Sequence, residues 1–268
     1  MEIVFPAVAM LSGLGILFGL GLAVASRAFA VEADPRVDEV TEVLPGANCG
    51  ACGHAGCVAY AEAVVLKGAS PSECIPGGAA TAAVVAGIMG VSAEAKTPRI
   101  AVVHCAGSEV ASRFEYEGVE DCFAAGLLQG GPKACVFGCL GLGSCVEACP
   151  FDAIRMEGGL PRINPDKCVA CGKCVSACPR GIIALHPRTA PVQVLCRSTE
   201  KGGAVRKICS VGCIGCKKCE KVCPSDAIHV ADFLAAVDDE KCTRCGKCVA
   251  ECPTGSLVMI GAVAAATA

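Results

Sequence analysis

The chain has 268 residues, of which 24 are cysteine, and this proportion of roughly 9% is several times ordinary usage. The 23 Lys and Arg residues nearly balance the 26 Asp and Glu residues, so the chain lacks the basic excess typical of nucleic-acid binders. Hydrophobic residues make up 53% and charged residues 18%, which excludes a disordered protein. Regularly spaced cysteines in a chain without tryptophan predict several small units stabilised by metal.

A long uncharged run lies near the N-terminus. The 23 residues from Ile3 to Ala25 carry no charge, and as a helix they would be roughly 34 Å long, enough to cross a ~30 Å hydrocarbon layer. The first basic residue, Arg27, follows the run, which indicates an anchor with its N-terminus outside and the large domain in the cytoplasm. A cleaved signal peptide ending at residues 28–30 is the alternative, but it would normally carry a basic segment before the apolar run.

The first group of four cysteines has the spacing C-x2-C-x4-C-x16-C. Its first three members lie in a glycine-rich segment, LPGANCGACGHAGC. Glycines let a backbone turn tightly around a bulky ligand. Helical spacing over 58–66 and 79–88 predicts a small helical cluster domain over residues 31–96. His54 is expected to be a hydrogen-bonding neighbour and not a ligand. The predicted metal ligands here are Cys49, Cys52, Cys57 and Cys74.

The rest of the chain contains an internal repeat. Seven cysteines recur at one constant interval, the interval that separates Cys139 from Cys213, and Cys135 and Cys209 obey it too. Seven matches at one such repeat interval indicate a duplication. The first copy contains Cys139, Cys145, Cys149, Cys168, Cys171, Cys174 and Cys178, and the second contains Cys213, Cys219, Cys223, Cys242, Cys245, Cys248 and Cys252.

Three segments match the bacterial ferredoxin motif C-x2-C-x2-C-x3-C-P: KCVACGKCVSACP, GCIGCKKCEKVCP and KCTRCGKCVAECP. In this motif three closely spaced thiolates hold one 4Fe–4S cluster, and the cysteine before proline reaches across to the other cluster. The second copy therefore predicts two ligand sets, which are Cys213, Cys216, Cys219 with Cys252, and Cys242, Cys245, Cys248 with Cys223.

The first copy departs from this motif at one position. Leu142 stands where the repeat interval predicts the counterpart of Cys216. Cys135, four residues before Cys139, is the natural substitute. The predicted ligand sets of the first copy are Cys135, Cys139, Cys145 with Cys178, and Cys168, Cys171, Cys174 with Cys149.

Five 4Fe–4S clusters use 20 of the 24 thiols and leave Cys105, Cys122, Cys196 and Cys209. These four are expected to be structural thiols, because free cysteine packs as a small hydrophobe. A sixth cluster built from the four is the alternative, and Cys209 could also replace Cys216 in its set. Zinc accepts four thiolates, and a secreted disulfide scaffold can be rich in cysteine, but neither explains interleaved triplets followed by Cys-Pro.

The motifs that the chain lacks narrow its function to electron transfer. No G-x-G-x-x-G loop, P-loop or paired acid–base constellation is apparent, so no catalytic residue of its own is predicted apart from redox clusters. Residues 197–221 are strongly basic and would attract an acidic redox partner, although a solvated face would have the same composition. The residues assigned to this docking patch are Arg206, Lys207, Lys217, Lys218 and Lys221.

Three features together resemble the B subunit of the Rnf ion-translocating electron-transport complex in its long, polyferredoxin-bearing form. They are the anchor running into FAVEADPRVDEV, the LPGANCGACGHAGC segment with its later CIPGG, and the stretches GCLGLGSCVEACPFDAI and VGCIGCKKC. The resemblance implies that electrons pass between ferredoxin and flavin-bearing partner subunits on the NAD side, coupled to Na⁺ or H⁺ transport. It also implies the inner (cytoplasmic) membrane of a bacterium or archaeon, with the cluster held by Cys49, Cys52, Cys57 and Cys74 nearest the membrane.

The predicted fold class is α+β, with one N-terminal transmembrane helix, a small helical 4Fe–4S domain and duplicated bacterial-ferredoxin-like modules. The predicted segments are an anchor (1–30), a cluster domain (31–96), a linking segment (97–131), two modules (132–190 and 191–260) and a tail (261–268). Two other functions stay open on sequence alone, namely an electron-wiring subunit of a different membrane oxidoreductase and a zinc-binding scaffold.

Overall fold

A computed structural model describes the chain at residues 4–29, 34–94, 97–189 and 192–259. Its helices are α1 (Val4–Ala28), α2 (Pro35–Val43), α3 (Cys57–Lys67), α4 (Gly78–Met89), α5 (Cys122–Leu127), α6 (Ser144–Glu147), α7 (Lys173–Ser176), α8 (Gly202–Ile208), α9 (Lys218–Val222) and α10 (Lys247–Ala250). Its strands are β1 (Arg99–Val103), β2 (Ile154–Glu157), β3 (Leu160–Ile163), β4 (Ile183–Pro187), β5 (Val192–Val194), β6 (Ile228–Ala231), β7 (Leu234–Val237) and β8 (Leu257–Met259).

Helix α1 contains the predicted apolar run. It has 25 residues, and its segment Met10–Ala28 is long and apolar enough to cross a membrane. Pro6 lies in its first turn, where a missing N–H costs little because that group has no partner within the helix. Ile3, the first residue of the predicted run, lies outside the described residues.

The N-terminal cluster domain, residues 34–94, is a three-helix unit with its own core. Asp34 caps α2 by accepting a 3.0 Å hydrogen bond from the Arg36 N–H. Helices α3 and α4 both end at glycines in the left-handed conformation, and they contain the predicted helical runs 58–66 and 79–88. The buried side chains shared by the three helices include Val40, Tyr60 and Val85, which pack together with the Cys74 thiol.

Two further units, module 1 (residues 97–189) and module 2 (residues 192–259), repeat one order of elements. Hairpin β2–β3 of module 1 has its counterpart one repeat interval later, in hairpin β6–β7 of module 2. Each module also pairs its first strand with its last in antiparallel fashion, β1 with β4 and β5 with β8. Each module has a separate buried core in which aliphatic side chains surround cysteines.

The segment expected to link the domains is integrated into module 1. Strand β1 pairs with β4 from Arg99↔Pro187 to Val103↔Ile183. Ala101 and Val103 are buried in the core of module 1. Apolar side chains on one face of β1 complete that core, so this part of residues 97–131 packs as a strand of the module and not as a connection.

Candidate metal centres

All 24 cysteines lie in the described part of the chain as free thiols. Within that part, no group of three or more His, Cys, Asp or Glu side chains is placed to hold a single metal ion. Zinc would need four thiolates at about 2.3 Å from one ion. Thiols do lie near one another in groups, because neighbouring thiols raise the pKa values of Cys74, Cys145 and Cys174.

In the N-terminal cluster domain the thiols of Cys49, Cys52 and Cys57 lie close enough to Cys74 to affect its pKa. We number the thiol sets from the C-terminal module and call these four set 6. Burial raises the pKa of the Cys74 thiol, and the other three thiols raise it further. Asn48 shapes the loop, because its Oδ1 accepts a 2.8 Å hydrogen bond from the Cys57 N–H and its own backbone has φ of 45°. His54 Nε2 lies 3.3 Å from Glu73 Oε2, so it acts as a neighbour that pairs across the loop.

The ferredoxin motif of module 1 brings together the thiols that its spacing predicts, and we call Cys149, Cys168, Cys171 and Cys174 set 5. Burial raises the pKa of Cys174 to about 11, and the thiols of Cys168, Cys171 and Cys149 add to the effect. The Ala153 N–H donates to Cys149 Sγ at 3.4 Å, and the equivalent Ala227 N–H in module 2 donates to Cys223 Sγ at 3.3 Å. Such backbone donors to sulfur are typical of iron–sulfur sites.

The second group in module 1 differs from the expectation, because it contains Cys122 and not Cys135. Burial raises the pKa of Cys145 to about 12, and the thiols of Cys139, Cys122 and Cys178 raise it further. The same four thiols line one small cavity. We call Cys122, Cys139, Cys145 and Cys178 set 4.

Polar contacts explain why Cys122 joins this group. The Cys122 N–H donates to Ser144 Oγ at 2.7 Å, and Ser144 Oγ donates to Asp121 Oδ2 at 2.9 Å. Asp121 also caps α5 by accepting from the Ala124 N–H at 2.8 Å. Because Ser144 directly precedes Cys145, these bonds hold the start of α5 against the start of α6.

Cys135 faces a different cavity, which has a volume of about 260 Å³. Burial raises the pKa of the Cys135 thiol, and the nearby thiols of Cys105 and Cys209 raise it further. Cys196 lines the same cavity, and its pKa is raised by burial and then by Cys213 and Cys135. We call Cys105, Cys135, Cys196 and Cys209 the bridging set, because two members come from each module.

The loop before Cys139 turns Cys135 away from set 4. The Gly138 N–H bonds back to the Cys135 carbonyl at 3.4 Å, and the Arg180 guanidinium donates to the carbonyls of Gly130 and Val136. The Cys139 N–H points in the same direction and donates to Cys105 Sγ at 3.4 Å. Sequence proximity to Cys139 therefore does not place Cys135 in the group that contains Cys139.

The four thiols of the bridging set form two pairs that occupy equivalent positions in the two modules. Cys105 and Cys196 each lie two residues after the first strand of their module, and Cys135 and Cys209 are one repeat interval apart. Gly138 and Gly212, separated by the same interval, lie against Cys135 and Cys209 respectively. The duplicated modules thus contribute equivalent pairs of thiols to one cavity at their junction. A dry cavity of ~150 Å³ holds benzene, so this one is large enough for a cluster-sized group.

Module 2 brings together both predicted groups. Burial raises the pKa of Cys219 to about 11, with contributions from the thiols of Cys213, Cys216 and Cys252, and these four form set 2. Burial also raises the pKa of Cys248, with contributions from Cys242, Cys223 and Cys245, and these four form set 1. Among the 24 thiols, only Cys216 and Cys245 are exposed, and each belongs to one of these sets.

Basic side chains surround the exposed thiol of Cys216. Lys217 and Lys218 follow it directly at the start of α9, and both are exposed. Glu220 partly offsets the charge, since its Oε2 lies 3.8 Å from Lys217 Nζ. The other members of the predicted docking patch are also exposed, namely Arg206, Lys207 and Lys221.

Comparison with family models and curated proteins supports iron–sulfur chemistry over most of the thiol-bearing part of the chain, and Cys105 and Cys122 lie outside the residues that the family models match. An Fe-S cluster family model matches residues 44–76, and 4Fe-4S dicluster domain models match residues 129–179, 167–227 and 212–256. The B subunit of the proton-translocating ferredoxin:NAD(+) oxidoreductase complex of Clostridium ljungdahlii is 54% identical over 90% of this chain and 87% of its own length.

Two more relatives extend this result. The B subunit of an ion-translocating oxidoreductase complex of Methanosarcina acetivorans is 45% identical over 90% of this chain and 93% of its own length. The B subunit of the Na(+)-translocating ferredoxin:NAD(+) oxidoreductase complex of Acetobacterium woodii is 45% identical over 88% of this chain and 72% of its own length. The chain belongs to the family of Rnf B subunits.

Membership in the Rnf B-subunit family confirms the resemblance seen in the sequence. The chain is an iron–sulfur electron-transfer subunit of an ion-translocating oxidoreductase, and it contains several 4Fe–4S ferredoxin-type domains.

The interval from Cys105 to Cys135 is longer than the interval from Cys196 to Cys209, and it contains α5 with Cys122. This extra length is the feature of the sequence that could have shown that Cys122 lies in an insertion with no counterpart in module 2.

Proposed function

We propose that the six thiol sets hold six 4Fe–4S clusters in one continuous row, so that this Rnf B subunit conducts electrons along its length. A bound 4Fe–4S cluster takes up and returns one electron. The observation that carries the proposal is the bridging set, third in the row, because its thiols occupy the junction between two units that would otherwise be separate. The row replaces the five sets expected from spacing, with Cys122 in place of Cys135 in set 4.

Neighbouring sets in the row are linked either by the order of their cysteines in the chain or by the influence of one thiol on the pKa of another. Sets 1 and 2 interleave within module 2, because α9 carries Cys219 of set 2 and the chain then reaches Cys223 of set 1. Cys213 of set 2 contributes to the raised pKa of Cys196, which belongs to the bridging set.

The row continues through module 1 in the same way. Cys105 of the bridging set contributes to the raised pKa of Cys139 in set 4, and Cys174 of set 5 contributes to that of Cys145 in set 4. In both cases burial is the larger cause. The final step joins sets 5 and 6, because Cys49 contributes to the raised pKa of Cys171.

Module 2 is the proposed intake for electrons from ferredoxin. Its thiols Cys216 and Cys245 are the two exposed ones, and an exposed ligand brings a cluster close to a docked partner. Ferredoxins that carry acidic surfaces would be attracted to the basic residues beside Cys216, which raises the association rate at low salt. The relatives of Clostridium ljungdahlii and Acetobacterium woodii are named for ferredoxin and NAD(+).

The opposite end of the row lies toward the proposed membrane anchor. Set 6 belongs to the domain that follows α1, and α1 has the length and composition of a membrane span. Set 6 would therefore exchange electrons with membrane-bound and flavin-bearing partner subunits, with the modules on the cytoplasmic side. Na⁺ or H⁺ transport would be coupled to this exchange, since the names of the relatives include both ions.

Anaerobic purification of the full chain followed by iron, sulfide and zinc analysis tests the proposal. Six clusters predict about 24 iron and 24 sulfide per chain, together with reduction by ferredoxin. About 20 iron per chain would show that one of the six sets holds no cluster and would overturn the six-cluster row. A colourless protein loaded with zinc would overturn it altogether.

A further inference from the structure

A chain of buried hydrogen bonds crosses the junction between the modules beside the bridging set. On one side are His104, directly after β1, and His186 in β4. On the other side are Val194 and Gln193 in β5 and Asp239 after β7. The four polar side chains are buried or half-buried, and His104 lines the same cavity as the four bridging thiols.

The bonds run in an unbroken line. His104 Nδ1 lies 2.8 Å from the Val194 carbonyl oxygen, and His104 Nε2 lies 3.1 Å from His186 Nε2. His186 Nδ1 then lies 2.8 Å from Asp239 Oδ2. The line ends where Gln193 Nε2 donates to Asp239 Oδ1 at 2.9 Å.

The acceptors determine where the hydrogens are. A carbonyl oxygen only accepts, so His104 Nδ1 donates to Val194, and a neutral His104 then accepts at Nε2. His186 must therefore donate through Nε2, and the remaining proton of the line lies between His186 Nδ1 and the Asp239 carboxyl group.

The line belongs to the junction and not to the repeated unit. Pro165 of module 1 stands one repeat interval before Asp239, and Val102 of β1 stands where β5 has Gln193, since Cys105 and Cys196 are equivalent. A contact needed inside each module would be expected in both copies. Two of these hydrogen bonds, His104–Val194 and His186–Asp239, instead connect module 1 to module 2.

We propose that His104, His186 and Asp239 are positioning residues for the bridging set, an inference that rests on the proposed function. Their hydrogen bonds keep the segment after β1, which carries Cys105, at a fixed distance from the segment after β5, which carries Cys196. His104 directly precedes Cys105, and Val194 lies two residues before Cys196. Loss of the line lets the two thiol pairs move apart without disturbing the sets that lie inside each module.

Two substitutions at one position separate the hydrogen-bonded role from simple packing. Asp239→Leu removes both acceptors and breaks the line at His186 and Gln193. Asp239→Asn keeps it, because the asparagine amide can donate to His186 Nδ1 while its oxygen accepts from Gln193. Glu240→Leu is the control, since Glu240 is exposed in the same loop and its side chain is outside the line.

The experiment uses the full chain purified anaerobically and measures iron retained during a chelator titration, with spectra of the reduced protein counting the clusters. Loss of partners behind metal ligands typically weakens metal binding by about 10- to 100-fold, so Asp239→Leu should lose one cluster's iron at about 10- to 100-fold lower chelator concentration. Asp239→Asn and Glu240→Leu should match the wild type. His186→Phe breaks the line from the side of module 1 and should reproduce Asp239→Leu.

Three results would overturn the inference. The first is wild-type iron retention in both Asp239→Leu and His186→Phe, and the second is loss in Asp239→Asn equal to that in Asp239→Leu. The third is loss of iron from all sets at once, which would indicate general unfolding. A wild-type chain holding only about 20 iron refutes the six-cluster proposal, and that failure is visible before any variant is made.

Discussion

The Cys49 thiol of the N-terminal cluster domain faces the Cys171 thiol of module 1. Both line one cleft between the two units, and Cys49 adds to the effect of burial in raising the pKa of Cys171. In the proposed row this proximity links set 5 to set 6, and the row then extends from module 2 to the domain that follows α1. Substitution of single residues can therefore test which thiols belong to each set and in which order the sets lie.

The membership of set 4 is tested by paired alanine substitutions. Cys122→Ala and Cys178→Ala should each remove the same cluster, so the double variant should lose about four iron, as each single variant does. Cys135→Ala combined with Cys178→Ala should lose about eight, because the two thiols belong to different sets. Iron analysis with spectra of the reduced protein measures the loss. Equal losses from both double variants would contradict the assignment.

The docking patch is tested by charge reversal. Lys217→Glu with Lys218→Glu should slow reduction of the chain by an acidic ferredoxin at low salt, because attraction between opposite charges raises the association rate. The difference from wild type should shrink as ionic strength rises. Stopped-flow absorbance measures both trends. Lys67→Glu with Lys167→Glu is the control, since both lysines are exposed but lie in the other two units. Equal slowing in the control would refute docking at module 2.

Gly215 is required where the backbone passes hairpin β6–β7. Its φ is +63°, and a Cβ at this position would lie 2.8 Å from the backbone Cα and O atoms of Phe233. Gly246 has a similar φ of +70°, but its nearest neighbour is the flexible Met259 side chain at 3.7 Å.

These two glycines form a matched pair in module 2. Gly246→Ala should cost about 1–2 kcal/mol of unfolding free energy from the left-handed conformation alone. Gly215→Ala should cost about 1–3 kcal/mol more, because the overlap is with backbone that cannot rotate away. Anaerobic urea unfolding of the iron-loaded chain measures the difference. The close approach to Phe233 would be disproved by equal midpoints for the two variants.

Ser256 acts on the sulfur of Cys252 in set 2. The buried Ser256 Oγ lies 3.3 Å from Cys252 Sγ. Burial opposes ionisation of Cys252, but hydrogen bonds from Ser256 and from nearby backbone and Thr254 groups lower its pKa to about 7. A hydroxyl donor to a thiolate stabilises negative charge, so it also favours the reduced state of a cluster held there.

Ser256→Ala should therefore shift the reduction potential of the set 2 cluster to a more negative value. A potentiometric titration followed by electron paramagnetic resonance measures this shift. Ser225→Ala is the control, because Ser225 Oγ lies 3.7 Å from Cys223 Sγ in set 1. An unchanged set 2 potential in Ser256→Ala, or the same shift in Ser225→Ala, would contradict this role of the hydroxyl.

The sequence alone predicted most of the thiol groups, because ferredoxin motifs keep their ligands within one short loop. The internal repeat likewise predicted the hairpins and short helices that occur in both modules. Where the sequence interpretation differed from the structure, the thiols that lie together came from outside those loops. Cys122 reaches set 4 through an insertion held by Ser144, whereas linear proximity favoured Cys135.

The bridging set could not be assigned from spacing, because its pairs follow two different spacings. Cys135 and Cys209 keep the repeat interval, but Cys196 lies farther from Cys105 than that interval. Only the pairing of β1 with β4, and of β5 with β8, shows that Cys105 and Cys196 occupy equivalent positions. Contacts between residues this far apart in sequence depend on tertiary packing, as does the hydrogen bond of His186 to Asp239.

The most direct test of the continuous row is a rapid freeze-quench experiment on the full chain mixed anaerobically with reduced ferredoxin. Electron paramagnetic resonance should detect reduction in module 2 first and in set 6 last. In Cys196→Ala, module 2 should be reduced as fast as in wild type, while module 1 and set 6 should stay oxidised on the same timescale. Reduction of set 6 before module 2, or a Cys196→Ala chain that fills set 6 at the wild-type rate, would contradict the row.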